Sequence, residues 1–307
     1  NSKKVAFWIN TLYSPFVRFS EIVKEFLDSK DSPELLQNFV NSWLAEPWED
    51  TKLKTSADMV MERQTDLKEL IVPSWASFIT GGVDVQQNCL YWSIRAWGPY
   101  ITSQNIAHGQ ALSFQEVENI MNLAYRTEDG EAIVVSLCLV DSGYDTDSAY
   151  DFCASNSDWA MPVKGSSNPM MSHFKLSTIN RATSKAHGMN LVIVDTDKYK
   201  DMIASRMKKE NGKGAWMVYQ GCDREYAEQV TAEHKVNIKS GSRMIQRWVP
   251  KHSHSDNHYL DCSVYEMAAA DILGVRTLHL QEEEPAPVEE VRETPEENWI
   301  GANENWL

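Results

Sequence analysis

Phe78-Ile79-Thr80-Gly81-Gly82-Val83-Asp84-Val85-Gln86 is an apolar run with two glycines at its middle and an acid near its end. Its composition predicts a strand, and Gly81-Gly82 predicts a break within it. Residues 90–97 follow with β-rich alternation, and residues 100–108 come after a Gly98-Pro99 turn. Three strands joined by such short links are most simply an antiparallel meander. Residues 114–125 then read as a helix, 132–140 as a fully buried strand and 146–154 as a second helix. A meander followed by alternating helix and strand predicts an α/β fold: a mixed sheet, antiparallel first and parallel later, flanked by helices.

Further along, residues 160–164, 191–195 and 215–219 are strand candidates, and 198–209 and 224–233 are helix candidates. The Gly, Ser, Asn and Pro-rich stretch 165–190 is too polar for core. Residues 236–238 and 244–249, separated by Lys239-Ser240-Gly241-Ser242, suit a β-hairpin. A last helix is expected over 257–273, closed by Gly274. Upstream of the meander, Pro15-Phe16 begins an amphipathic run, and Asp31-Ser32-Pro33-Glu34 looks like the start of a second helix. Residues 51–73 read as a connector with a helix near 58–70.

The 307 residues carry 44 Asp and Glu against 29 Lys and Arg, a net charge of -15. Eleven Trp and eleven Tyr argue for a folded body. No apolar run approaches the roughly 20 residues of a membrane helix, and no signal segment opens the sequence, so a soluble protein without membrane contact is expected. Five widely spaced cysteines with no C-x-x-C pair point away from disulfides and zinc, towards a reducing cytosol. The charge is unevenly placed. Residues 281–307 hold nine Glu and one Arg, and read as a solvated, disordered acidic tail. Residues 161–252 instead hold sixteen Lys and Arg against eight Asp and Glu, and a basic segment can create a local positive field.

Three carboxylates occupy positions that a core does not choose. Asp84 lies inside an apolar strand, Asp141 ends the longest buried strand before Ser142-Gly143-Tyr144, and Asp261 falls in the first turns of the last helix. A buried carboxylate must pair with a cation or become neutral. If the three converge, their repulsion calls for divalent cations, and oxygen-only donors favour Mg²⁺ or Mn²⁺ over zinc. Two such ions support phosphodiester hydrolysis. Each acid also has a plainer reading: an Asx turn for Asp141, an exposed helix acid for Asp261. Asp195, a fourth strand-end acid, suits a cap for the helix from Lys198, and His258 shares a helix face with Asp261. No phosphate-binding loop, nucleophile elbow or dinucleotide fingerprint is present; Gly212-Lys213-Gly214 lacks the remaining elements of the first.

The segments Asn41-Ser42-Trp43-Leu44-Ala45-Glu46-Pro47-Trp48-Glu49-Asp50, Gly82-Val83-Asp84-Val85-Gln86, Asp141-Ser142-Gly143-Tyr144, Tyr226-Ala227-Glu228-Gln229-Val230 and Leu260-Asp261-Cys262-Ser263-Val264-Tyr265 resemble, in this order, the lambda-type large terminase subunit of tailed phages. That family joins a packaging ATPase to a C-terminal nuclease of RNase H-like fold. The resemblance implies the end of the ATPase region in 1–50, a linker in 51–73, the nuclease in 74–280 and the tail in 281–307. It implies that Asp84, Asp141 and Asp261 are the catalytic acids binding two Mg²⁺ or Mn²⁺ ions and cutting concatemeric double-stranded DNA, with Asp195 and His258 as candidate neighbours of the metal shell. Lys164, Lys239, Arg243 and Arg247, from the basic stretch, are the candidate DNA contacts. The implied partners are DNA, the phage portal protein through 281–307, and the small terminase subunit through an N-terminal part that is not in this sequence. The implied setting is the host bacterial cytoplasm, transiently at the procapsid portal. Two other readings are a portal-docking and DNA-gripping module, and a cellular RNase H-like resolvase or transposase, against which the 43–50 segment argues.

Overall fold

The computed structural model describes residues 9–30, 33–46, 57–240, 243–252 and 255–278. The acidic tail 281–307 lies outside them. Helices α1 (Phe19–Ser29) and α2 (Pro33–Ser42) form a pair, with Phe26 and Phe39 rings 5.6 Å apart. Just past α2, Ala45 has φ of 54°, a left-handed conformation that favours glycine.

The connector is packed rather than free from Ala57 onward. Helix α3 (Ala57–Met61) buries Val60 completely. The helix expected over 58–70 stops there because the next backbone groups bond to another chain segment: Val218 N donates to Arg63 O, Thr65 N to Val218 O, and Gln220 N to Leu67 O.

Strand β1 (Ile71–Val72) leads into β2 (Phe78–Val85), β3 (Leu90–Gly98) and β4 (Thr102–Ala111), the antiparallel meander. Helix α4 (Phe114–Met121), capped by Ser113, ends before short β5 (Tyr125–Thr127) and β6 (Ala132–Ile133), which join β1 in a small side sheet. The buried strand expected over 132–140 is therefore two pieces, and its main part is β7 (Val135–Asp141). Then come α5 (Thr146–Ser155), β8 (Ala160–Gly165), β9 (Phe174–Thr178), β10 (Asn190–Val194), α6 (Thr196–Met207), β11 (Trp216–Val218) and α7 (Arg224–Val230). Strands β12 (Glu233–Ser240) and β13 (Arg243–Pro250) pair as the hairpin, longer than expected, and α8 (His258–Ile272) closes the fold. β9 lies within the polar stretch 165–190; as the last strand of the sheet, with four of its five residues exposed, it needs no apolar pattern.

The main sheet runs β11-β4-β3-β2-β7-β8-β10-β9, with β7 parallel to β2, and β8 and β10 parallel in turn. An antiparallel meander whose first strand is flanked by a parallel fourth is the RNase H-like arrangement. Helices cover both faces. Alternation along β2 sends Ile79, Val83 and Val85 towards the cluster containing Val117 of α4 and Phe152 of α5. Thr80, Gly82 and Asp84 point the other way, under α8.

The glycine pair does not break β2. Gly82 is where α8 rests on the sheet: a Cβ there would lie 2.2 Å from the Cys262 carbonyl oxygen. Gly81 faces the opposite layer, against the Met121 sulfur. α8 is buried along most of its length because α6 and α7 pack on its outer side. A buried polar lock fixes its rotation. Glu266 and Arg95, both fully buried, are 3.2 Å apart, Ser93 Oγ donates to Glu266 Oε1, and Thr80 Oγ1 donates to the Glu266 carbonyl. Arg95 also donates to Met217 O and Tyr226 Oη and lies over the Trp216 ring.

Candidate active site

The parity of two neighbouring strands brings two of the acids together. The register Val83↔Val140 makes Asp84 and Asp141 the next residues on parallel β2 and β7. Leu137 and Leu139 belong to the α8-side core, so Asp141, two residues on, points to the same face as Asp84. The third acid arrives from above: Gly82 admits α8 so closely that Asp261, next to Cys262, is carried over the end of β2.

The acids feel one another. Burial and the Asp84 charge raise the pKa of Asp141, against hydrogen bonds from the Gly143 and Tyr144 backbone and the Tyr265 hydroxyl. Burial pushes Asp261 up to about 6; the Lys200 ammonium opposes this, and the Asp84 and Glu233 charges add to it. Asp84 is 4% exposed; its Oδ2 accepts from Gln86 Nε2 at 2.8 Å and lies 2.8 Å from His258 Nδ1. Burial disfavours the His258 imidazolium, but Asp84, Asp256 and Asp261 outweigh it and the pKa is raised. Tyr91, the cross-strand partner of Asp84, stacks on the His258 ring with centroids 4.2 Å apart, which fixes the ring plane.

Asp141 does form the Asx turn that its sequence suggests, with Gly143 N donating to Oδ1 at 3.1 Å, and it remains beside Asp84. Asp195 fills the helix-cap role that its position suggests and stands apart from the three acids. It lies after β10, two strands beyond β7 and so roughly 10 Å across the sheet. Its carboxylate caps α6, accepting from Lys198 N at 3.4 Å and Met170 N at 2.9 Å. Arg247, 3.6 Å from Asp197 and still partly exposed, ties the hairpin to α6. Lys164 is exposed near the end of β8, but alternation from Val163, the partner of Asp141 on the α8 side, turns it to the opposite face of the sheet from the three acids. Lys239 and Arg243 flank the hairpin turn by backbone position; their side chains lie outside the described part.

Sequence reasoning missed the residues that hold Asp261. Lys200 Nζ lies 3.5 Å from Asp261 Oδ1, and Asn257 Nδ2 donates to Oδ2 at 3.2 Å. Both also bond to Glu233 Oε1, at 2.8 Å each. Nothing in spacing marks a lysine of a mixed-charge helix as buried; a strand ending next to that helix in space is what buries it.

The donor set fits a hard divalent cation in type, because all three acids offer oxygen. The raised pKa values of Asp141 and Asp261 also favour a cation among them. In this arrangement, among the described residues, no three His, Cys, Asp or Glu side chains are gathered closely enough to hold an ion. Lys200 against Asp261, and His258 against Asp84 when protonated, supply positive charge instead. All five cysteines are free, and none contributes a zinc-type cluster among the described residues. No described helix is long and apolar enough to cross a membrane.

Residues 4–282 match the family described as the terminase large subunit gpA endonuclease domain. The large terminase subunits of Enterobacteria phage P21 and Escherichia phage lambda are each 27% identical, over 288 and 286 residues, covering 87% of this chain and 44% of theirs. The chain thus spans less than half the length of these relatives. Among solved structures, the large terminase nuclease of thermophilic phage G20c aligns with a TM-score of 0.42 at 10% identity, covering 71% of this chain and 97% of that one. Its magnesium-bound form aligns at 0.40 and 11%, over 70% and 96% of the two chains.

Proposed function

The chain belongs to the family of terminase large subunit gpA endonuclease domains, and on that premise we propose that residues 74–280 are a metal-dependent endonuclease cutting concatemeric double-stranded phage DNA during packaging. The observation that carries this reading is the placement of Asp84, Asp141 and Asp261, from two adjacent parallel strands and one crossing helix, on one face at one end of the sheet.

Asp84, Asp141 and Asp261 are the residues that would hold Mg²⁺ or Mn²⁺, two ions in all. Bound there, such ions supply an activated water and charge for the leaving oxygen of a phosphodiester. The protein's own part is positioning. β2 and β7 give a rigid floor for two carboxylates, and the Arg95–Glu266 lock holds the helix that carries the third. His258 Nδ1, held flat by Tyr91, orients Asp84 through Oδ2. Lys164, exposed at the end of β8, remains a candidate phosphate contact that reads no base. Lys239, Arg243 and Arg247, all on the hairpin, are the other candidate DNA contacts.

In the whole protein, residues 1–50 would be the end of the packaging ATPase and 51–73 the passage into the nuclease. The small terminase subunit would be a further partner, in the host cytoplasm. The acidic 281–307 segment, with Trp299-Ile300 and Trp306-Leu307, would contact the portal. Deleting it should weaken portal binding and spare cleavage; unchanged portal binding removes that role. For the nuclease, Mg²⁺ or Mn²⁺ should support plasmid cleavage, and Asp84→Asn, Asp141→Asn and Asp261→Asn should each abolish it with circular dichroism unchanged. Full cleavage by all three variants refutes the assignment.

A further inference from the structure

Asp261 is held at both oxygens, and both holders answer to one residue. Lys200 and Asn257, the contacts of Oδ1 and Oδ2, converge on Glu233 Oε1. Glu233 is the first residue of β12 and is 4% exposed; Lys200, on α6, is 7% exposed. The ammonium is not shared evenly. It makes a 2.8 Å hydrogen bond to Glu233, while its 3.5 Å separation from Asp261 is long for one.

From this geometry we propose that Glu233 is a positioning residue: it draws the Lys200 ammonium towards itself and so weakens the hold of Lys200 on Asp261, which lets a divalent cation compete for that carboxylate. The inference rests on the metal-site reading above. An ammonium and a metal ion compete for the same carboxylate oxygens. A buried ammonium that loses one carboxylate turns to the other, because an isolated buried charge is costly and the lysine stem is long and flexible. Removing Glu233 therefore delivers Lys200 to Asp261 and blocks it, and also takes from Asn257 its second acceptor.

The same residue joins the hairpin to the site. β12 and β13 are seated on α6 through Lys235 Nζ, 2.6 Å from Asp201 Oδ2, and Trp248 Nε1, which donates to Asp201 Oδ1 at 2.9 Å. Glu233 stands at the root of that seating, one lysine away from the third acid. The state of the hairpin root thereby sets how strongly Asp261 is engaged by Lys200.

The test is Mn²⁺ binding by the full chain, followed by the electron paramagnetic resonance of free Mn²⁺ at fixed pH and independent of cleavage. Glu233→Ala and the shape-preserving Glu233→Gln should each weaken binding by about 10–100-fold, as loss of a residue that orients a ligand does. Adding Lys200→Met to either variant should restore most of the lost affinity, since the competing ammonium is gone; a Glu233 that merely supports the fold gives no such rescue. Circular dichroism and melting temperature identify folded variants, and the Gln pair carries the test where the Ala variant does not fold. Unchanged binding in folded single variants, or a double variant no tighter than its single parent, overturns the proposal. A folded wild-type chain that binds no Mn²⁺ overturns the metal-site reading and this inference together.

Discussion

Gly82→Ala and Gly81→Ala are chemically identical changes one residue apart, and the structure gives them opposite fates. At Gly82 the new Cβ would meet the Cys262 carbonyl oxygen at 2.2 Å, with the Cys262 carbonyl carbon at 3.0 Å and the Glu266 nitrogen at 3.1 Å. All three are backbone atoms of α8, so no rotamer change relieves the contact, and the helix must withdraw by roughly 1 Å to reach ordinary packing distance. Overpacking of this kind costs about 1–3 kcal/mol. In a domain of this size, each kcal/mol lowers Tm by about 2–4 °C. The same withdrawal lifts Asp261 from Asp84 and Asp141, and a displacement of ~1 Å in a catalytic group can cost about 100-fold in rate. At Gly81 the nearest atoms are the Met121 sulfur at 2.7 Å and the Cys138 sulfur at 3.0 Å. Met121 is flexible, and replacing a strand glycine recovers about 0.5–1 kcal/mol of backbone entropy, so stability should change little. Urea unfolding and Mn²⁺-dependent plasmid cleavage of the two variants decide the matter. Equal stabilities for the two, or a Gly82→Ala protein that cleaves at the wild-type rate, would refute the account of how α8 sets the site.

The metal-free protein should be more stable at pH 6 than at pH 8. Asp261, raised to about 6, and the raised Asp141 bind protons in the folded state that the unfolded chain has already lost, so stability falls as pH rises through their folded values. His258, also raised, adds stability below its unfolded pKa that is lost above its folded one, in the same direction. Melting curves in EDTA over this range check the sign, and Asp261→Asn should reduce the slope and raise Tm at pH 8. Arg95→Met leaves Glu266 buried and unpaired and should cost about 3–5 kcal/mol in urea unfolding; adding Glu266→Met should recover a large part of it. Asp195→Ala should cost about 1 kcal/mol, the value of an N-cap, and leave plasmid cleavage at the wild-type rate; loss of cleavage would place Asp195 in the site after all.

The meander, the order of later elements and the positions of Asp84 and Asp141 are legible because they follow from period-2 alternation, which is local. An acid in the middle of an apolar strand is conspicuous in one dimension. Asp261 is legible only through its resemblance to the terminase family, since the first turn of a helix is an ordinary place for an acid. What stays hidden comes from long-range packing. The double glycine reads as a strand break from local propensity, whereas each glycine is used by a different layer, one by α8 and one by Met121. Likewise, residues 62–67 carry polar sequence that suits a helix or a linker, and only the open edge beside Val218 makes an extended path better.

The charge of the basic stretch must be read in the same way. Several cations of 161–252 are paired within the protein: Lys235 with Asp201, Arg247 with Asp197, Lys200 with Glu233 and Asp261, and Arg181 with Asp147. The first three build the seat of the hairpin and the clamp on the third acid, so where each cation stands matters more than the segment's sum. If the exposed Lys164 meets a phosphate as proposed, it would contribute to the salt dependence of DNA binding. The buried ones contribute to geometry, and substituting them acts on Asp261 and on folding before it acts on affinity for a phosphate backbone.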